Sequence, residues 1–160
     1  RGRGRTEADH DAVRACGAGL RVFFAQFAKG QETSELEPLQ KIGAGIQLHR
    51  FGGEGFILGE PGEKEKAMAL QGLRFCADEL VSGKHDVVIL DEIVTSSYLK
   101  LFNSNELLEL IRHRPQHVEL VMTGRGASAE LIDAADLVTE MREIKHYYQE
   151  SVSARRGIEF

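Results

Sequence analysis

Val87-Val88-Ile89-Leu90-Asp91-Glu92 runs four apolar residues, three of them β-branched, straight into two acids. A short β-branched run without polar alternation is the pattern of a strand covered on both faces, as in a parallel sheet. Acids at the C-terminal end of such a strand stand where open α/β sheets bind their ligands. The run has the form of a Walker B strand, whose carboxylates hold or orient Mg²⁺ beside nucleotide phosphates. An Asp in that place serves equally well as a cap for the next helix, and this stretch alone leaves both readings standing.

The flanking sequence repeats the same grammar. Upstream, Leu20 to Phe27 is rich in aromatic and β-branched residues and reads as a strand that ends at Lys29-Gly30. Ile46 to Phe51 alternates and reads as a second short strand. Downstream, Val118 to Thr123 reads as a strand that meets Gly124-Arg125-Gly126-Ala127 at once, and Asp136 to Met141 reads as another. In the Gly124 to Ala127 loop the glycines would let backbone approach a ligand, and Arg125 would offer a planar cation to phosphate.

Helical patterns fill the intervals. Ala12 to Cys16 continues a helix that Gly17-Ala18-Gly19 stops. Glu35 to Ile42 is a short helical pattern broken by Pro38. Pro61 to Gly83 is the longest, with Ala67, Leu70, Leu73, Ala77 and Leu80 as its core-facing stripe and Glu63 to Lys66 as a solvated start. A polar loop with Tyr98 follows Glu92. Ser104 then caps a helix to His113 that buries Leu107, Leu108 and Ile111, and Arg114-Pro115 ends it. Glu130 to Ala135 is a short helix. Strands alternating with helices give an α/β architecture with a mainly parallel sheet flanked by helices. Residues 1–160 read as a single domain, with 142–160 as a C-terminal tail.

Composition narrows the function. A formal net charge of −5 without a basic stripe argues against nucleic acid as the main partner. No apolar run is long enough to span a bilayer, and no secretory signal is evident. The two cysteines, Cys16 and Cys76, lie far apart in helical patterns, which points to a reducing cytoplasm rather than a disulfide framework. Seventeen glycines against three prolines suggest several tight loops near a ligand. One of them, Gly52 to Gly59, carries Phe56, Ile57 and Leu58, which would cover something apolar, either the protein's own core or a ligand.

The first residues are unusual. Gly4-Arg5-Thr6 resembles the end of a phosphate-binding loop, G-x-x-x-x-G-K-[ST], with Arg for Lys. The first glycine of that motif and the strand before it would precede Arg1. The sequence therefore starts inside such a loop, or the loop is degenerate. Glu7, Asp9, His10 and Asp11 then charge a helix that would have to pack on the sheet.

Taken in order, these motifs resemble the P-loop-type corrinoid adenosyltransferases, the ATP:cob(I)alamin enzymes. The matching stretches are Arg14 to Gly19, Val22 to Gly30 with its Gln26-Phe27-x-Lys29-Gly30, Gly55-Phe56, Val87 to Glu92 and Arg114-Pro115. Thr123 to Ala127, Ala135 to Arg142, Lys145-His146 and Gly157 to Phe160 complete the set. The resemblance implies a P-loop, RecA-like fold whose first strand is not among these residues. It implies transfer of the 5′-deoxyadenosyl group of ATP to the Co(I) of a corrinoid, with release of triphosphate, in adenosylcobalamin synthesis or salvage. Gly2, Arg3, Gly4, Arg5, Thr6 and Arg125 would bind the ATP phosphates, and Lys145 and His146 would lie near the nucleotide. Thr6, Asp91 and Glu92 would attend Mg²⁺ (or Mn²⁺), Glu92 foremost. Phe56 and Leu58 would line the corrinoid's lower face. The family further implies a cytoplasmic homodimer and a reductant, such as a flavoprotein, to supply Co(I).

Three departures from the family pattern stand out. Arg5 replaces the phosphate-loop lysine, and its fork is bulkier. Glu7 to Asp11 replace a small, mostly apolar helix start. Leu58 stands where Trp is frequent. The first two support an alternative, a corrinoid- or nucleotide-binding member of the same fold whose catalysis is impaired.

Overall fold

The computed structural model describes residues 5–27, 36–42, 45–52, 60–153 and 155. The expected sites Gly2, Arg3, Gly4, Lys29, Phe56 and Leu58, and the Gly157 to Phe160 stretch, lie outside the described residues.

The chain runs α1 (Arg5–Gly17), β1 (Val22–Phe27), α2 (Leu36–Ile42), β2 (Ile46–Phe51), α3 (Glu63–Val81), β3 (Val87–Asp91), α4 (Ile93–Tyr98), α5 (Ser104–His113), β4 (Glu119–Met122) and α6 (Ala129–Ala134). A 3₁₀ turn follows at Tyr147–Glu150. The strands form one sheet in the order β2-β1-β3-β4, and every pairing is parallel. The apolar runs of β1 and β3, broken only by Gln26 and Asp91 near their ends, follow from their central place. Every residue of both strands is buried, as parallel strands covered by helices on both faces require.

Strand alternation sorts the core into two layers. Phe23, Ala25, Phe27, Val88 and Leu90 face α3, α4, α5 and α6, where Leu73, Cys76, Leu80, Ile93, Leu107, Leu110 and Leu131 meet them. Val22, Phe24, Val87 and Ile89 face the other way, onto Ala8 and Ala12 of α1 and Leu39 of α2. Here the conflict between charge and packing in the first helix resolves. Ala8 and Ala12 sit one turn apart and are fully buried, so α1 lies close on the strands through small side chains, while His10 and Arg14 project into solvent. Gly19, at φ +83°, ends this element by turning the chain back.

The structure differs from the sequence expectations at several points. Residues 93–98 form α4 rather than a polar loop, because Ile93, Val94 and Ser96 are buried against the sheet. Pro38 does not break α2; it occupies the first turn, where no backbone N–H is needed. On α3 the buried face is Ala69, Gly72, Leu73, Cys76, Glu79 and Leu80, and Ala67 is exposed. Asn103, not Ser104, caps α5, in a capping box with Glu106, and Leu110 joins Leu107 as its buried face. Asp136 to Met141 forms no strand. The segment has no ladder partner on the sheet, and Leu137 and Val138 are exposed.

Candidate active site

Gln26 and Asp91 are in register at the C-terminal ends of β1 and β3. Alternation points both toward the face that α1 covers, since Val22, Phe24, Val87 and Ile89 share that face. The C-terminal end of α1 lies at the opposite edge, where Leu20 N–H bonds the Ala15 carbonyl. The helix therefore runs antiparallel to the strands and starts, at Arg5 and Thr6, on the edge where Gln26 and Asp91 end. A helix N-terminus facing the C-terminal edge of a parallel sheet is a site suited to anions.

A continuous hydrogen-bond chain runs along this edge. Asp91, 1% exposed, accepts from Gln26 Nε2 at 3.2 Å and from Thr123 Oγ1 at 2.8 Å. Thr123 Oγ1 in turn accepts the Glu92 N–H at 3.0 Å, and Glu92 Oε2 accepts from Thr95 Oγ1 at 2.6 Å. Thr95 Oγ1 accepts the Arg125 N–H at 2.8 Å. One network thus ties together the ends of β1, β3 and β4, the start of α4 and the Gly124 to Ala127 loop.

Glu92 carries the sharpest turn. Its φ of 60° places a non-glycine residue in the left-handed region, at a cost of about 1–3 kcal/mol that the surroundings must offset. They do so through several bonds. Thr123 holds its N–H, and its carbonyl accepts from the Ser96 N–H and hydroxyl. The turn sets the Glu92 carboxylate beside, rather than within, the strand, half-buried, and Oε1 has no partner among the described residues. The donors gathered here are all oxygens, from Asp91, Glu92 and Thr123, which suits a hard cation. Among the described residues no group of three or more His, Cys, Asp or Glu comes together. A divalent cation here would accordingly keep several waters and share its shell with ligand phosphates, as Mg²⁺ does.

The glycines of the loop after β4 serve packing. A Cβ on Gly124 would lie 2.5 Å from the Thr95 backbone N, and one on Gly126 would lie 2.2 Å from the Tyr98 ring. They let this loop approach α4 closely. Arg125 is exposed between them and its guanidinium has no partner among the described residues. A cleft of about 600 Å³ opens alongside, with Val94, Leu101, Phe102, Leu107 and Leu131 in its lining and Gly126 shared with the loop.

The structure therefore brings Asp91, Glu92 and the Arg125 backbone into one network and places the backbone of Arg5 and Thr6 at the same edge. Lys145 and His146 lie on the segment after α6, outside that network, with Lys145 exposed and His146 half-buried. Sequence reasoning gave no role to Gln26, Thr123 or Thr95. A signal for the first existed: Gln26 is the one polar residue of an otherwise apolar β1, placed near its end as Asp91 is on β3.

Known proteins match this chain along its whole length. A family model described as ATP:corrinoid adenosyltransferase BtuR/CobO/CobP covers residues 1–160. The chain is similar to the corrinoid adenosyltransferase CobA of Salmonella typhimurium, with 33% identity over 166 residues, covering 99% of this chain and 81% of that protein. It is 33% identical over 165 residues to the corrinoid adenosyltransferase of Pseudomonas aeruginosa, covering 99% and 79% of the two chains. It is 30% identical over 164 residues to that of Escherichia coli, covering 99% and 81%.

Proposed function

Because the chain belongs to the ATP:corrinoid adenosyltransferase family, we infer that it transfers the 5′-deoxyadenosyl group of ATP to the Co(I) of a corrinoid. In that reaction a cobalt–carbon bond forms with the electron pair of Co(I), the C5′–O bond breaks, and the pair of that bond leaves with the triphosphate. The protein's share is to hold the two reactants in line and to stabilise the charge that gathers on the leaving group.

The observation that carries this reading is the network at the sheet's C-terminal edge, which fixes Asp91, Glu92 and the Arg125 loop in front of the start of α1. Backbone N–H groups at the start of α1, with Arg5 and Thr6 and the residues Gly2, Arg3 and Gly4 before them, would cradle the phosphates. Arg125 would steady phosphate oxygens from the loop after β4, at the same edge of the sheet. Asp91 and Glu92, with Thr6, would hold Mg²⁺ or Mn²⁺, a cation that neutralises triphosphate charge when bound. Lys145 and His146 would approach the nucleotide from the segment after α6, and Phe56 and Leu58 would cover the lower face of the corrinoid. The Co(I) state calls for an external reductant, for which a flavoprotein is the proposed class.

Residues 1–160 act as one unit in this reading, with 142–160 as a tail. No helix among the described residues is long and apolar enough to cross a membrane. Both Cys16 and Cys76 are free thiols, which supports a reducing, cytoplasmic setting. The exposed apolar residues after α6 support a homodimer.

The test is anaerobic. Protein, chemically reduced Co(I) cobalamin, ATP and Mg²⁺ are mixed, and the visible spectrum and triphosphate release are followed. Adenosylcobalamin and triphosphate formed in equal amounts, over many turnovers, are the expected outcome. A folded protein that binds cobalamin and forms neither product would sink the reading.

A further inference from the structure

Gln26 presents an anomaly at the centre of the network. The residue is 2% exposed, its Nε2 donates to Asp91 Oδ2, and its Oε1 is buried without a partner among the described residues. The amide cannot simply be turned over to cure this. Turned, its carbonyl oxygen would face a carboxylate that already takes the Thr123 hydroxyl, and two acceptors would oppose each other. Asp91 thus fixes the amide with its acceptor directed away from the carboxylate. A buried acceptor left unpaired is costly, and an apolar side chain of the same volume would avoid the cost. Its presence calls for a donor that arrives with a ligand.

The chemistry of that ligand can be narrowed. Triphosphate oxygens only accept hydrogen bonds, so they cannot satisfy Oε1. Donors accompany a triphosphate chiefly as water in the coordination shell of its divalent cation, since Mg²⁺ retains several waters when only one or two carboxylates bind it. Gln26 sits in register with Asp91 and one residue from the level of Glu92, the carboxylates proposed to hold that cation.

We propose that Gln26 is a positioning residue for the metal–nucleotide complex: Nε2 holds Asp91, while Oε1 accepts a hydrogen bond from a water bound to the divalent cation. The proposal rests on the adenosyltransferase reading, with Mg·ATP as substrate, and it predicts dependence on the metal rather than on ATP itself. Being neutral, the amide orients this water without taking its proton.

The experiment compares the full chain with Gln26→Met, which conserves volume and removes both polar atoms. Binding of Mg·ATP, and of ATP in excess chelator, is measured by titration calorimetry. The expected result is a loss of about tenfold in Mg·ATP affinity, the scale of one hydrogen bond within a charged site. Metal-free ATP binding stays within about twofold, on the same reasoning. In turnover, the Mg²⁺ concentration for half-maximal rate rises while kcat at saturating Mg²⁺ holds. Equal affinities in variant and parent, or equal losses with and without metal, would overturn the proposal, the latter because a merely structural role predicts it. Should Gln26→Met fail to fold, Gln26→Asn keeps the neutral amide but draws it back by one methylene, and is expected to lose Mg·ATP affinity while metal-free ATP binding holds; no change in either, or an equal loss in both, would also overturn the proposal. A parent protein that binds no Mg·ATP and makes no adenosylcobalamin would remove the reading beneath. A parent active with Mg·ATP beside an indifferent Gln26→Met would remove this inference alone.

Discussion

Asp86 anchors the edge of the sheet opposite the candidate site. Its Oδ2 accepts from both the Arg21 N–H at 2.8 Å and Arg21 Nε at 3.0 Å, and its Oδ1 accepts from a terminal guanidinium nitrogen at 2.8 Å. These bonds, side chain first and backbone second, hold the Asp86 carboxyl far below the usual carboxylate range. A carboxyl whose pKa is depressed by folding stabilises the fold above its unfolded value, near pH 4, and loses that contribution as the pH falls toward the folded value. Asp86→Asn should therefore unfold at a lower temperature than the parent at pH 7, and the gap should narrow steadily as the pH is lowered below about 4. Circular-dichroism melts of both proteins across that range check it. A gap of constant size would show that the Arg21 contact acts through geometry alone. Nothing in the sequence pairs these residues, 65 positions apart, until the β1–β3 register is known. Asp91 and Glu92 were legible for the opposite reason, because each follows an apolar run whose end is visible in the sequence itself.

At the level of elements, the loop after β4 and helix α4 depend on each other. The loop can close on α4 only because two of its residues lack a Cβ. The two positions should differ in tolerance. A methyl at Gly126 meets the Tyr98 ring, and that side chain is 65% exposed and has room to swing outward. A methyl at Gly124 meets the Thr95 backbone N, which cannot yield without moving the helix and with it the hydroxyl that joins Glu92 to Arg125. Gly126→Ala should cost about 1–3 kcal/mol, mostly from its positive φ. Gly124→Ala should cost more and should also lower adenosyl transfer by about tenfold or more, since small displacements of positioning groups are expensive. Urea unfolding and the anaerobic assay on both variants decide it, and the reverse order would contradict this account.

The same region shows why one element escaped the sequence. Ile93-Val94-Thr95-Ser96-Ser97-Tyr98 has weak helix formers and no visible amphipathic repeat. It is helical because Ile93 and Val94 bury against the sheet and the Glu92 carbonyl receives Ser96, which are tertiary causes. The four strands β1 to β4 were legible within about two residues, since apolar runs bounded by charge or glycine mark them directly.

For the molecule as a whole, the two-layer core accounts for the sheet, and the segment after α6 is what it leaves uncovered. Leu137 is 86% exposed and Ile144 is 79% exposed, with Val138, Met141 and Tyr147 exposed around them. The sequence reads as a strand over residues 136–141, because local apolar and β-branched residues report side chains that can be buried and not the surface that buries them. Five exposed apolar residues within 11 positions are the kind of surface that marks an interaction site when they form one patch. A second copy of the chain is the proposed cover, so sedimentation velocity should show a dimer at micromolar protein. Leu137→Ser combined with Ile144→Ser should shift the population toward monomer by about tenfold or more in dissociation constant, the scale of burying two large aliphatic side chains. Both residues are far from the core, so the thermal melt of the double variant at low concentration should match that of the parent. A parent protein that sediments as a monomer at all concentrations would rule the dimer out. Unchanged association in the double variant would move the interface elsewhere on the molecule.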